Sequence, residues 1–152
     1  MRKESISKTD MDINRFLVMC IKQYASATKE SSKSIYNLLS KKGILQEIID
    51  NYEDLHGMSM YSINEYISKR TGSKYSMDCP EPLPHDISKT IIAYQTIELI
   101  AENYKLSIQD ARDKFYNSEV VDLLEDDETG LYGQSALYLL SLYEMKTGAT
   151  HK

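Results

Sequence analysis

The feature that most constrains this chain is that it matches itself at an offset of 76 residues without a gap. Leu55-x-Gly57-x-Ser59 falls on Leu131-x-Gly133-x-Ser135, and Thr71-Gly72 falls on Thr147-Gly148. Asp10, Ile21, Ala25, Lys29, Ser31 and Asp50 fall on Asp86, Ile97, Ala101, Lys105, Ser107 and Asp126. That makes 11 identities over the 63 positions from 10 to 72, where composition alone, at ~6% per position, supplies about 4. A unit of about 60 residues has a marginal core, so two such units are expected to pack together.

The apolar spacing within each half is helical. Ile13, Phe16, Leu17, Cys20, Ile21 and Tyr24 form one stripe, with Asp10 or Asp12 as the expected N-cap. Ile35, Leu38 and Leu39 follow the cap signal Ser31-Ser32 and stop at Lys41-Lys42-Gly43. Ile44, Leu45, Ile48, Ile49 and Tyr52 form a third helix ending near Leu55-His56-Gly57, and Ile63, Tyr66 and Ile67 a fourth, stopped by Thr71-Gly72. Residues 73–85 hold all three prolines and read as a linker. The second half then gives Ile87–Tyr104, a helix from the Ser107/Asp110 box through Phe115-Tyr116, the short Val120–Leu124, and Leu137–Met145. The expectation is an all-α fold: a first unit over 10–72 and a second over 86–148, four helices each. Phe16, Ile21, Leu39, Ile48 and Ile63 should be buried, as should Ile92, Ile97, Phe115, Leu124 and Leu139.

Charge is divided unequally between the halves. Of 18 basic and 23 acidic residues, those before residue 76 sum to +3 and the remainder to −8. An acidic second half repels phosphate backbones, which disfavours nucleic acid as its partner. The opening MRKESISKTD lacks the apolar segment of a signal peptide, and no apolar run reaches the ~18–20 residues of a membrane helix. Cys20 lies in an apolar run and Cys79 beside the prolines, so neither forms a CxxC pair or a Cys/His cluster. A cytoplasmic protein with no metal or cofactor is the expectation.

Motifs that carry chemistry are missing from the chain. There is no GxGxxG, Walker loop, HExxH or GxSxG. His56, beside Tyr52 and Glu53, is the one histidine placed for general-base work, but no second histidine stands at helical spacing and Tyr132 replaces it in the repeat. A helix-terminal ring is the plainer account. Lys29–Ile49 has the rhythm of a helix-turn-helix, yet Gln46, Glu47 and Asp50 on its second helix suit a DNA groove poorly. Of the twelve tyrosines, six fall on or beside apolar stripes (Tyr24, Tyr52, Tyr66, Tyr94, Tyr138, Tyr143) and five nearer helix ends or turns (Tyr61, Tyr75, Tyr104, Tyr116, Tyr132). Tyrosine suits contact surfaces.

Two stretches resemble small uncharacterised bacterial families. One is Phe16-Leu17-Val18-Met19-Cys20-Ile21 with Lys42-Gly43-Ile44-Leu45 and Asn51-Tyr52-Glu53-Asp54-Leu55-His56. The other is Phe115-Tyr116-Asn117-Ser118 with Asp127-Glu128-Thr129-Gly130-Leu131. These families are often encoded beside ADP-ribosyltransferase-like toxins, so the resemblance implies an antitoxin or accessory role and supplies no catalytic residue.

The reading is therefore a non-enzymatic protein-binding module that neutralises a toxin enzyme by direct contact. The expected contact residues are Glu125, Asp126, Asp127 and Glu128, an acidic elbow where carboxylates meet the negative end of a short helix, together with Tyr132. The alternatives are a DNA-binding autoregulator using the basic first unit through Lys41 and Lys42, and a small enzyme using His56.

Overall fold

The computed structural model describes residues 6–72 and 85–148. All but the last residue of the expected linker, with Cys79 and the three prolines, lies outside the described residues. Among those described, the regular structure is helical: nine α-helices and two single 3-10 turns. No helix among them is long and apolar enough to cross a membrane.

The first half carries α1 (Lys8–Thr28), α2 (Ser32–Lys41), α3 (Ile44–Asp50), α4 (Tyr52–Leu55) and α5 (Met60–Thr71). The N-cap of α1 is Ser7, whose hydroxyl accepts from the Asp10 amide, and not Asp10 or Asp12. A serine one turn upstream leaves Asp10 inside the first turn, where its charge faces the positive end of the helix. Ser31 caps α2 as its sequence signal indicates, by accepting from the Ser34 amide. The α2–α3 turn passes through Gly43 at φ +75°, a left-handed conformation that disfavours any residue with a Cβ. The expected third helix is broken at Asn51, whose side-chain amide bonds back to the Glu47 carbonyl and ends α3. Its last turn becomes the separate α4.

The second half carries α6 (Asp86–Tyr104), α7 (Ile108–Tyr116), α8 (Glu119–Glu125) and α9 (Ala136–Thr147), with 3-10 turns at Asp127–Thr129 and Leu131–Gly133. Several boundaries recur at the sequence offset. Lys29 and Lys105 both end long helices at positive φ, 61° and 57°. Ser59 and Ser135 both open the last helix of their half, and Gly72 and Gly148 both close it.

Helices α1 and α6 pack on each other at the centre, α5 lies against α1, and α9 against α6. Helix α2 leans on α1 and reaches across to α7 and α8. One continuous apolar cluster runs through both halves. All ten residues expected in the core are buried, Leu39, Phe115 and Leu139 completely. Two tyrosines depart from their sequence placement. Tyr116 is buried and stacks on Tyr36 with ring centroids 4.4 Å apart, whereas Tyr138 is half exposed.

Candidate functional site

The acidic elbow follows α8, and the packing of distant helices decides what each acid meets. Glu125, half-buried, turns inward: its carboxylate accepts from the Ser32 amide at 3.2 Å and from the Ser32 hydroxyl, and pairs with Lys22 at 3.3 Å. It thereby satisfies an amide at the start of α2 that no intrahelical carbonyl can reach. Asp127 pairs with Lys89 at 2.5 Å and approaches His85 at 3.7 Å. The adjoining Lys89 ammonium holds the Asp127 carboxyl below its ordinary value. Asp126 accepts from the Glu128 amide at 3.0 Å and so caps the first 3-10 turn. Tyr132 stacks on His85 at 3.7 Å, nearly parallel. Two of the four acids are thus bound to lysines of α1 and α6, while Asp126 and Glu128 remain exposed.

Beside the elbow, on the other flank of the first turn of α6, lies a groove of about 420 Å³. Its walls are α1 (Phe16, Met19), α4 (Tyr52) with His56 at its end, and α6 (Ile87, Ile91). Ile87 is 67% exposed, a large apolar side chain standing in water at the groove's edge. Sequence reasoning passed over this surface, because it took Ile87–Tyr104 as one amphipathic helix with Ile92 and Ile97 in the core and assigned no role to Ile87 and Ile91. The missed signal is that α6 is apolar around most of its circumference, which leaves one face without a partner.

Charge borders the groove. Asp86 lines it and shares Lys22 with Glu125, the two carboxylates lying 3.5 and 3.3 Å from the ammonium. Arg15 spans its rim, held by both Glu98 oxygens at 3.0 and 3.1 Å and lying 5.0 Å from the Tyr94 ring centre. That carboxylate raises the Arg15 guanidinium above its usual value. Groove and elbow are thus linked near the start of α6 through the ion pairs of Lys22 with Asp86 and Glu125.

The residues of the two alternative readings are also placed. His56 stacks on Tyr52 at 4.6 Å, and its Nδ1 lies 2.8 Å from the Tyr52 carbonyl, so the ring closes the end of α4. In the helix-turn-helix candidate, Lys41 and Lys42 are exposed at the α2–α3 turn. Glu47 bonds to Arg70 and, at 3.0 Å, to the Tyr66 hydroxyl, which ties α3 to α5.

Comparison with known proteins returns one family. Residues 15–70 match a model described as a protein of unknown function, DUF3791. The match spans a little over a third of the chain and falls within the first half. Neither the curated proteins nor the solved structures contain a match.

Proposed function

We propose that the chain is a non-enzymatic protein-binding module of the antitoxin kind, built from two helical units related by duplication, the third helix of the first unit being split into α3 and α4. The observation that carries this reading is the apolar groove between α1, α4 and α6, with Arg15 and Asp86 in its lining. Apolar surface with a charged border is what a specific protein contact uses: burial supplies affinity, and the border selects the partner and speeds encounter. The fitting partner presents an apolar ridge flanked by Lys or Arg, such as the rim of a basic substrate cleft, and binding would occlude that cleft. The duplication is supported by the recurrent helix boundaries and by contact between equivalent positions, since Tyr36 and Arg112, 76 apart, line one pocket.

The acidic elbow contributes to this surface mainly through Asp126 and Glu128, because Glu125 and Asp127 are engaged by lysines of the same chain. The test is co-expression with the products of the adjacent genes, followed by co-purification and assay of any enzyme among them. The expected result is a stable complex with suppressed activity, broken by Ile87→Asp with Ile91→Asp. A chain that elutes alone and leaves its neighbour fully active would overturn the reading. Salt-sensitive binding to its own promoter DNA, lost in Lys41→Glu with Lys42→Glu, would put the autoregulator in its place.

A further inference from the structure

The unequal charge of the two halves has a structural counterpart at the seam between them. Among the described residues four ion pairs cross the seam, and each takes its base from the first half and its acid from the second. Arg15 binds both oxygens of Glu98 at 3.0 and 3.1 Å, a geometry that fixes direction as well as charge. Lys22 lies 3.5 Å from Asp86 and 3.3 Å from Glu125, and Lys33 lies 2.9 Å from Asp122. Lys22, Asp86 and Glu125 are 16%, 8% and 19% exposed, so salt and solvent screen that part of the seam little. In addition, Tyr36 of α2 donates to Asp113, and Asn14 of α1 accepts from Arg112 at 3.1 Å.

The 76-residue offset gives what each half would meet if it paired with its own kind. Apolar packing does not tell the halves apart, since Ile21 and Ile97, and Ala25 and Ala101, are identical and buried. Charge does. Where the second half carries Glu98, Asp86, Glu125 and Asp122, the first carries Lys22, Asp10, Ile49 and Gln46. In a pairing of two first halves Arg15 would face Lys22 of the other copy, and only Lys22 against Asp10 would keep its sign. Two second halves match less well still. Ile91, Glu98 and Gln109 stand there in place of Arg15, Lys22 and Lys33, so Glu98 would face Asp86 and Glu125 of the other copy. Tyr36 and Arg112 are equivalent positions that line one pocket, so two buried Arg112 guanidiniums would also be set together. Like charges juxtaposed across an interface reject a wrong partner at a cost of several kcal/mol.

We infer that the seam is a recognition surface that accepts only the unlike half, whether that half belongs to the same chain or to a second copy. The first half presents Arg15, Lys22 and Lys33, and its fitting partner presents acids at the places of Glu98, Asp86, Glu125 and Asp122. These three bases and four acids supply part of the charge difference between the halves. The inference rests on the duplication in the proposed reading, and neither on its antitoxin role nor on the α1/α4/α6 groove.

The test uses the full chain with a protease site placed within residues 73–84 and cut after folding, so that only the seam joins the halves. Unlabelled and ¹⁵N-labelled cut chains are mixed, unfolded in urea, refolded and weighed by native mass spectrometry. The expected products are the four first-with-second pairs in equal amounts, with no pair of like halves. Arg15→Glu should weaken the pair about tenfold. Adding Glu98→Arg to the same chain should restore it to within about threefold, which a half that is merely destabilised would not do. Abundant like pairs, or halves that do not rejoin, would overturn the inference, as would an Arg15→Glu chain that Glu98→Arg does not rescue. If either variant fails to fold, the product masses of the unaltered chain decide. No other protein enters the experiment, so a chain that binds no neighbouring enzyme can still sort its halves, and the two failures are told apart.

Discussion

Replacing Glu125 with alanine removes an acid that sequence reasoning assigned to a partner-facing elbow and the fold uses to join its halves. Three contacts disappear together: the Ser32 amide at 3.2 Å, the Ser32 hydroxyl, and the Lys22 ammonium at 3.3 Å. Lys22 keeps Asp86 at 3.5 Å, so its charge is not stranded. The Ser32 amide, however, loses its acceptor in a buried residue at the start of α2. Hydrogen bonds to a charged group are worth about 1.5–3 kcal/mol each, and the Glu125 side chain is 19% exposed, which lets water recover part of the loss. The net expectation is a loss of about 2–3 kcal/mol. At about 2–4 °C per kcal/mol for a chain of this size, that is a fall in Tm of about 4–12 °C. The comparison is Asp126→Asn with Glu128→Gln, which keeps the side-chain acceptor at 126 and should stay within about 0.5 kcal/mol. Both are read by thermal unfolding followed by circular dichroism. A Glu125→Ala melt no lower than that of the double variant would refute the assignment of Glu125 to the seam between the halves.

Leu39→Ala and Phe115→Ala, both at fully buried positions, should each cost ~2–5 kcal/mol in urea titration. Burial pushes the Cys20 thiol up to about 12, so in a Cys79→Ser background its labelling should follow unfolding rather than proceed in the native state. Rapid labelling of the folded protein would contradict its place in the core. For Asp127, whose carboxyl is held below its ordinary value by Lys89, the folded form favours ionisation more than the unfolded form does. Its contribution is thus fully present above the ordinary carboxylate value of 3.8 and lost as pH falls through the lower, folded value. The stability difference between the chain and Asp127→Asn should be constant from pH 7 to pH 5 and vanish in stronger acid, as measured by denaturation across pH.

The helices were legible because their signals are local. Ser31, Ser59, Ser107 and Ser135 cap the helices that follow them, and Gly72 and Gly148 stop the helices that precede them. The start of α1 was misplaced because three cap-forming residues, Ser7, Asp10 and Asp12, crowd one region and only packing selects among them. The break at Asn51 was missed because the apolar period runs on through it to Tyr52. The site was far less legible. Four consecutive acids read alike, yet Glu125 and Asp127 are distinguished by Lys22 and Lys89, which only the packing of α1 and α6 brings near. Arg112 showed its burial only through its register with Ala111 and Phe115. The groove was hidden because the apolar pattern of α6 does not separate the exposed Ile87 and Ile91 from the buried Ile92 and Ile97 until its neighbours are known.

The most direct test of the proposed contact surface is hydrogen exchange on the chain alone and in complex with whichever adjacent gene product co-purifies with it. Slowed exchange is expected in Tyr52–His56, in the Met19–Gln23 turn of α1 and in the first two turns of α6, with α9 unchanged. Protection confined to α9, where Leu137 and Met145 stand exposed, or to the α2–α3 turn would contradict the placement of the contact at the groove.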